Sequence, residues 1–128
     1  MAERPWATAP LRSMAALSTS RVVIPSGSHF LTSKAEPQAA MEAVRTIMKE
    51  FSGAHTICGL SNVSFGLPQR NVLNRNFLAL LMSAGLDGVI MDPTEPHMMT
   101  TVLACRALLG RDEWCMEYMR ASRAGRLD

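Results

Sequence analysis

Three short apolar runs, each cut off by turn-forming residues and each followed by a segment of helical period, constrain this chain more than any other feature. Val22, Val23 and Ile24 form a β-branched run that stops at Pro25 and Gly27. Ile57–Leu60, inside "HTICGLSN", runs into Ser61 and Asn62, and "GVIM" from Gly88 stops at Asp92-Pro93. Short, continuous apolar runs suit strands covered on both faces, as in a parallel sheet.

Between the runs the period changes. Pro37 is placed for a first helical turn, and Met41, Val44, Met48 and Phe51 follow at spacings of three and four, with Gly53 as the stop. A second helix is expected from Val72 to Leu86, with Leu73, Phe77, Leu80, Leu81 and Ala84 as its apolar face and Gly85 loosening its end. "PHMMTTVLACRALLG" predicts a third helix closed by Gly110. A last amphipathic segment is expected from about Asp112 to Ala121, with Trp114, Cys115, Met116 and Met119 among its apolar residues.

Strand–helix repeated three times with short connections predicts an α/β architecture of parallel strands covered by helices. The strands are expected near 21–25, 55–60 and 88–92, in the order 1-2-3, with the helices on one side. A three-stranded sheet covered on one face leaves its other face open, so the chain reads as part of something larger. A (β/α)8 barrel needs about 250 residues, and this chain has 128. Residues 1–20 hold Pro5 and Pro10 without a sustained period and are expected to form an irregular arm. Residues 21–128 are expected to form the folded unit.

Composition narrows the function classes. An apolar fraction of 48% with 19% charged residues describes a globular chain, and a formal charge of +2 gives no argument for nucleic acid. Arg111, Arg120, Arg123 and Arg126 lack interleaved aromatics and read as a solvated helix end. Cys58, Cys105 and Cys115 are odd in number and lack CxxC spacing. They are expected to be small core residues in a reducing, cytoplasmic setting. No apolar run reaches the length of a membrane span. The Ala-, Ser- and Arg-rich opening resembles a transit peptide, but with Glu3, little helical amphipathicity and no secretory h-region, targeting is not expected. His29, His55 and His97 are scattered, and the ten methionines read as core filling, so no directly bound metal is expected.

The stretch "GLSNVSFGLP" at 59–68 breaks the apolar pattern just where the second run ends. By residue type alone, Asn62 reads either as a turn residue or helix cap, or as a ligand-facing amide. Arg70 is either a solvated loop charge or an anion-holding guanidinium. Ser61 and Ser64 shape the turn or add contacts, and Asp92 is a turn former at the end of the third strand. Strand polarity sets Asn62, Arg70 and Asp92 near one rim, the carboxyl ends of the strands.

The segment "GLSNVSFGLPQRNVLNRNFLALLMSAGLDGVIMDPTE", continued by "DEWCMEYMRASRAGRL", resembles the pterin-binding methyltransferases that act on methyltetrahydrofolate and a corrinoid protein. These include the methyltetrahydrofolate:corrinoid/iron–sulfur protein methyltransferases and, more distantly, the folate module of cobalamin-dependent methionine synthase. The likeness covers residues 55–128 well and 21–54 loosely. It implies the last three βα units of a TIM-type (β/α)8 pterin-binding barrel. It implies further that Asn62 hydrogen-bonds near N5 of the pterin and that Arg70 reaches the folate, with Ser61, Ser64 and Asp92 as further contacts. The substrate pair would be methyltetrahydrofolate and tetrahydrofolate, with the corrinoid carried by a partner protein.

One departure stands out. The family's acidic residue ahead of the strand corresponding to "RVVIP" falls near Ser20, where "ALSTSR" offers no carboxylate. Impaired activity of the isolated chain is therefore expected. The competing class is a non-catalytic interaction module that pairs with itself or with a complementary barrel fragment. A dihydropteroate synthase-like activity is the weaker enzymatic alternative, because lysine- and arginine-bearing signatures near the last strands are absent.

Overall fold

The computed structural model describes residues 21–24 and 36–127. The arm expected over residues 1–20, and with it Ser20, lies outside the described residues, as does His29. In chain order the elements are β1 (Arg21–Ile24), α1 (Glu36–Glu50), β2 (His55–Gly59), a 3-10 turn (Ser61–Ser64), α2 (Arg70–Ala84), β3 (Gly88–Ile90), α3 (Met98–Leu108), a second 3-10 turn (Glu113–Cys115) and α4 (Met116–Arg123). The strands form one parallel sheet in the order β1-β2-β3, so the α/β reading of the alternating pattern holds.

The register gives each face its content. Cys58 lies beside Val89, and Ile57 beside Gly88. Side chains alternate across a strand, so Cys58 and Val89 share a face. Both join a single cluster with Ala40, Val44 and Met48 of α1, Phe77, Leu78, Leu81 and Met82 of α2, and Met98 and Val102 of α3. The three helices therefore pack against that face. Full burial of a leucine such as Leu78 or Leu81 is worth about 2 kcal/mol relative to exposure. On the opposite face Ile57 leans across Gly88, and a Cβ at 88 would meet Ile57 Cγ1 at 2.7 Å. The space a side chain would fill is occupied by its neighbour.

Several apolar positions differ from expectation. The buried stripe of α2 is Asn74, Phe77, Leu78, Leu81, Met82 and Ala84, so Phe77, Leu81 and Ala84 are buried as expected, while Leu73 and Leu80 are 39% and 51% exposed. The helix is rotated relative to the stripe read from apolarity alone because Asn74, a polar residue, occupies a buried position. Phe51 follows the end of α1 and is exposed. Gly85 locks rather than loosens the end of α2. At φ 109° it lets its own N–H reach Met82 O at 3.1 Å and Leu86 N–H reach Leu81 O at 3.0 Å, the paired bonds of a Schellman ending.

The chain end departs further. Trp114 is 83% exposed, and Cys115, Met116 and Met119 are exposed as well; Ala121 is the buried residue of α4. Polar contacts hold this helix in place. Asp112 accepts the amides of Glu117 and Tyr118, both at 2.9 Å, and Glu117 pairs with Arg106 of α3. Burial pushes the Asp112 carboxyl pKa up, but those amides and the Arg106 guanidinium outweigh it and leave the value below the ordinary one. Of the three cysteines expected in the core, Cys58 is buried, Cys105 is partly buried and Cys115 is exposed.

Candidate functional site

The 3-10 turn leaves β2 at its carboxyl end. Leu60 N–H still bonds Ile90 O at 3.1 Å, extending the pairing one residue beyond β2. Leu60, Val63 and Ser64 are buried, so the turn is pinned on one side, while Ser61 and Asn62 are exposed. Asn62 O accepts the Phe65 amide at 3.2 Å, which closes the turn. Asn62 thus belongs to a turn and sits exposed at the end of β2.

Arg70 opens α2 and folds back over this turn. Its Nη2 donates to Ser61 O at 2.9 Å and its Nε to Ser64 Oγ at 3.1 Å. The guanidinium carbon lies 6.0 Å from the centre of the exposed Phe65 ring, at the edge of cation–π range. Below it, Ser64 Oγ lies 2.7 Å from Asn74 Oδ1 and 3.2 Å from Ser61 O. A hydroxyl has one proton, and the shorter contact gives it to Asn74. Asn74 Nδ2 in turn donates to Glu95, at 3.2 and 3.3 Å from its two carboxylate oxygens.

Asp92 lies two residues past β3, at the same end of the sheet. Its Oδ1 accepts from Thr94 Oγ1 at 2.6 Å and Thr94 N at 2.8 Å, an Asx turn. The hydroxyl and then the amide of Thr94 hold the carboxyl below its ordinary pKa. Asn62, Arg70, Ser61, Ser64 and Asp92 therefore share the carboxyl ends of the strands. Asn74 and Glu95 were missed in the sequence. An asparagine inside a helix and a glutamate 21 residues later carry no local signal of pairing; only the phase of Asn74 relative to Phe77 and Leu78 could have marked it as buried.

At the other end of the sheet, His55 Nδ1 lies 3.0 Å from Asp87 Oδ2, which also accepts the Thr56 amide at 3.2 Å. Among the described residues no group of three or more His, Cys, Asp or Glu could hold a metal ion. No described helix is long and apolar enough to cross a membrane.

The donor set at the rim is an exposed amide residue beside a guanidinium held by two hydrogen bonds. Such a set can donate to and accept from a polar ligand and can pair with an anionic group. The chain is 44% identical over 98 residues to a methylcorrinoid:tetrahydrofolate methyltransferase of Eubacterium limosum, a match covering 77% of this chain and 34% of that protein. It is 42% identical over 57 residues to a methionine synthase of Mycobacterium tuberculosis, covering 43% of this chain and 5% of that protein. No family model matches the chain. The chain thus spans about a third of the length of the first of these relatives, and by sequence it is related to the methyltetrahydrofolate–corrinoid methyltransferases.

Proposed function

We propose that this chain, a relative of the methyltetrahydrofolate–corrinoid methyltransferases, supplies the end of a TIM-type pterin-binding barrel. Residues 21–128 are the barrel part. The observation that carries this reading is the 44% identity over 98 residues, together with a rim whose exposed Asn62 and tethered Arg70 suit a folate. The parallel order β1-β2-β3 supports the barrel reading.

In the proposed reaction a methyl group moves between N5 of methyltetrahydrofolate and the cobalt of a corrinoid. The corrinoid, carried by a partner protein, supplies the metal that takes or gives the methyl group. N5 is a poor leaving group, so a donor beside it that stabilises the departing nitrogen lowers the barrier. The amide of Asn62 can donate or accept a hydrogen bond and so serves both protonation states of N5. Arg70 holds the anionic tail or a ring edge, with Ser61 and Asp92 as lesser contacts; Ser64, fully buried, acts through Arg70 rather than on the ligand. The setting is cytoplasmic.

A second reading concerns assembly. Leu108 is 84% and Trp114 83% exposed, and Ile90 on edge strand β3 is exposed too. Apolar surface of this kind favours association, either as a homodimer or with a complementary barrel fragment. The 128-residue chain alone would then bind folate weakly and transfer methyl groups negligibly. Loss of several buried hydrogen bonds, at about 1 kcal/mol each, is enough for that.

The test is calorimetric titration of methyltetrahydrofolate, followed by assay with a supplied Co(I) corrinoid and measurement of molecular mass. Weak binding, little transfer and self-association are expected. Tight binding or fast turnover by a verified monomer overturns the assembly argument. An Asn62→Ala variant with unaltered transfer in any active assembly overturns the role of Asn62.

A further inference from the structure

Asn74 is the buried polar residue on the inward stripe of α2, in helical phase with Phe77, Leu78 and Leu81. A leucine would complete that stripe. An amide there is tolerable only if its polar atoms are met, and they are: Oδ1 by Ser64 and Nδ2 by Glu95. The three residues belong to different segments, namely the turn after β2, the first turns of α2, and the loop after β3. Asn74 therefore ties two rim loops together through the interior.

The contacts also share one direction. An ionised Glu95 carboxylate only accepts, so the NH2 of Asn74 must face it, and Oδ1 must face Ser64. The Ser64 proton then points to Asn74, and the remaining lone pairs of Ser64 Oγ face the Arg70 Nε–H. Turning any one member around breaks the sequence.

We infer that Asn74 and Glu95 are positioning residues: through Ser64 they fix the orientation of the Arg70 guanidinium at the rim, and with it the affinity for an anionic folate ligand. The ligand in this inference rests on the proposed function, whereas the anchoring of Arg70 rests on the hydrogen bonds alone. Neither Asn74 nor Glu95 need touch the ligand.

The test uses the 128-residue chain with nuclear magnetic resonance as the readout. Solvent exchange of the Arg70 Nε–H reports the anchor, and a shift titration with methyltetrahydrofolate reports affinity even when weak. In Asn74→Leu, exchange should quicken about tenfold and affinity fall about tenfold, the scale of losing one charge-assisted hydrogen bond. The melting temperature should hold or rise, because the leucine buries well. Glu95→Gln, whose amide oxygen still accepts from Asn74, should stay close to the parent in both readouts. Ser64→Ala removes the acceptor for Nε and should reproduce the loss if Asn74→Leu fails to fold. Unchanged Arg70 exchange in Asn74→Leu or Ser64→Ala overturns the inference, as does a Glu95→Gln variant damaged as deeply as Asn74→Leu. Faster exchange in the variants of a chain that binds no methyltetrahydrofolate supports the anchor while removing the folate reading.

Discussion

At the amino ends of β2 and β3, Asp87 Oδ2 is engaged by the His55 ring and the Thr56 amide, and the two side chains are only 8% and 14% exposed. At the carboxyl ends, a comparable set of polar side chains begins in the half-buried Glu95 and finishes on Arg70, which faces solvent beside exposed Asn62. Both clusters bridge β2 and β3 or the loops that extend them. The first fastens neighbouring strands, while the second is directional and delivers a cation to the surface. The difference teaches that polar content alone does not mark a site. In parallel α/β folds ligands bind at the carboxyl ends of the strands, the end at which Arg70 faces solvent.

The comparison can be broken most forcefully by removing what both ends share. Leu81 is fully buried beneath the sheet, and Leu81→Ala should lower stability by about 3 kcal/mol in denaturant unfolding. The amide signals of Thr56 and Ser64 should then shift together; a shift at one end alone would mean that the two clusters have separate supports. A paired experiment divides the ends. Asp87→Ala strands the largely buried His55 ring and the Thr56 amide, and should cost about 2 kcal/mol while leaving methyltetrahydrofolate affinity intact. Arg70→Ala, at an exposed position, should cost no more than about 1 kcal/mol but weaken that affinity about tenfold. The reverse pattern would erase the distinction between fastening and presenting.

The smallest effect sharpens the carboxyl end. Thr94→Val removes the hydroxyl that contributes most to lowering the Asp92 pKa, so the carboxyl should titrate closer to its ordinary value of 3.8. A depressed folded-state pKa stabilises the fold above the ordinary value, and that gain is lost as pH falls through the lowered one. The variant should therefore show less of this acid-limb contribution. Carbon-13 carboxyl titration reads the change directly, and an unmoved pKa would show that the Thr94 amide alone holds Asp92.

The sheet was legible because each strand is apolar, short and fenced by residues that cannot continue it, as with Val22–Ile24 before Pro25. The position of the rim followed from strand polarity, which is why Asn62 and Asp92 could be set there in advance. The orientation of α2 was legible in part: Phe77, Leu81 and Ala84 are buried as expected, and Leu73 and Leu80 are not. Apolarity chose Leu73 and Leu80, but Asn74 is buried because partners on other segments satisfy it, and pairing across 10 and 21 residues leaves no periodic trace. The last helix misled for a related reason. Trp114, Met116 and Met119 have the composition of a core face, yet Asp112 and Arg106 hold α4 through its amides and Glu117, so those side chains turn outward. Burial by polar tethering is invisible to a reading that tracks hydrophobic spacing.

The strand order also has a kinetic meaning. β2 pairs with both of its neighbours, and α2 packs between α1 and α3, whereas among the described strands β1 and β3 pair only with β2. A structure joined mainly through nearest neighbours behaves like a short stack and frays from its flanks inward. Amide hydrogens should then exchange in a gradient, fastest in β1 and α4 and slowest in β2 and α2. The unit expected to open last carries Asn62, Arg70 and Asn74, whereas Asp92 and Glu95 go with the β3 flank, so an opening there should release the Glu95 end of the Arg70 anchor before the turn that bears Asn62.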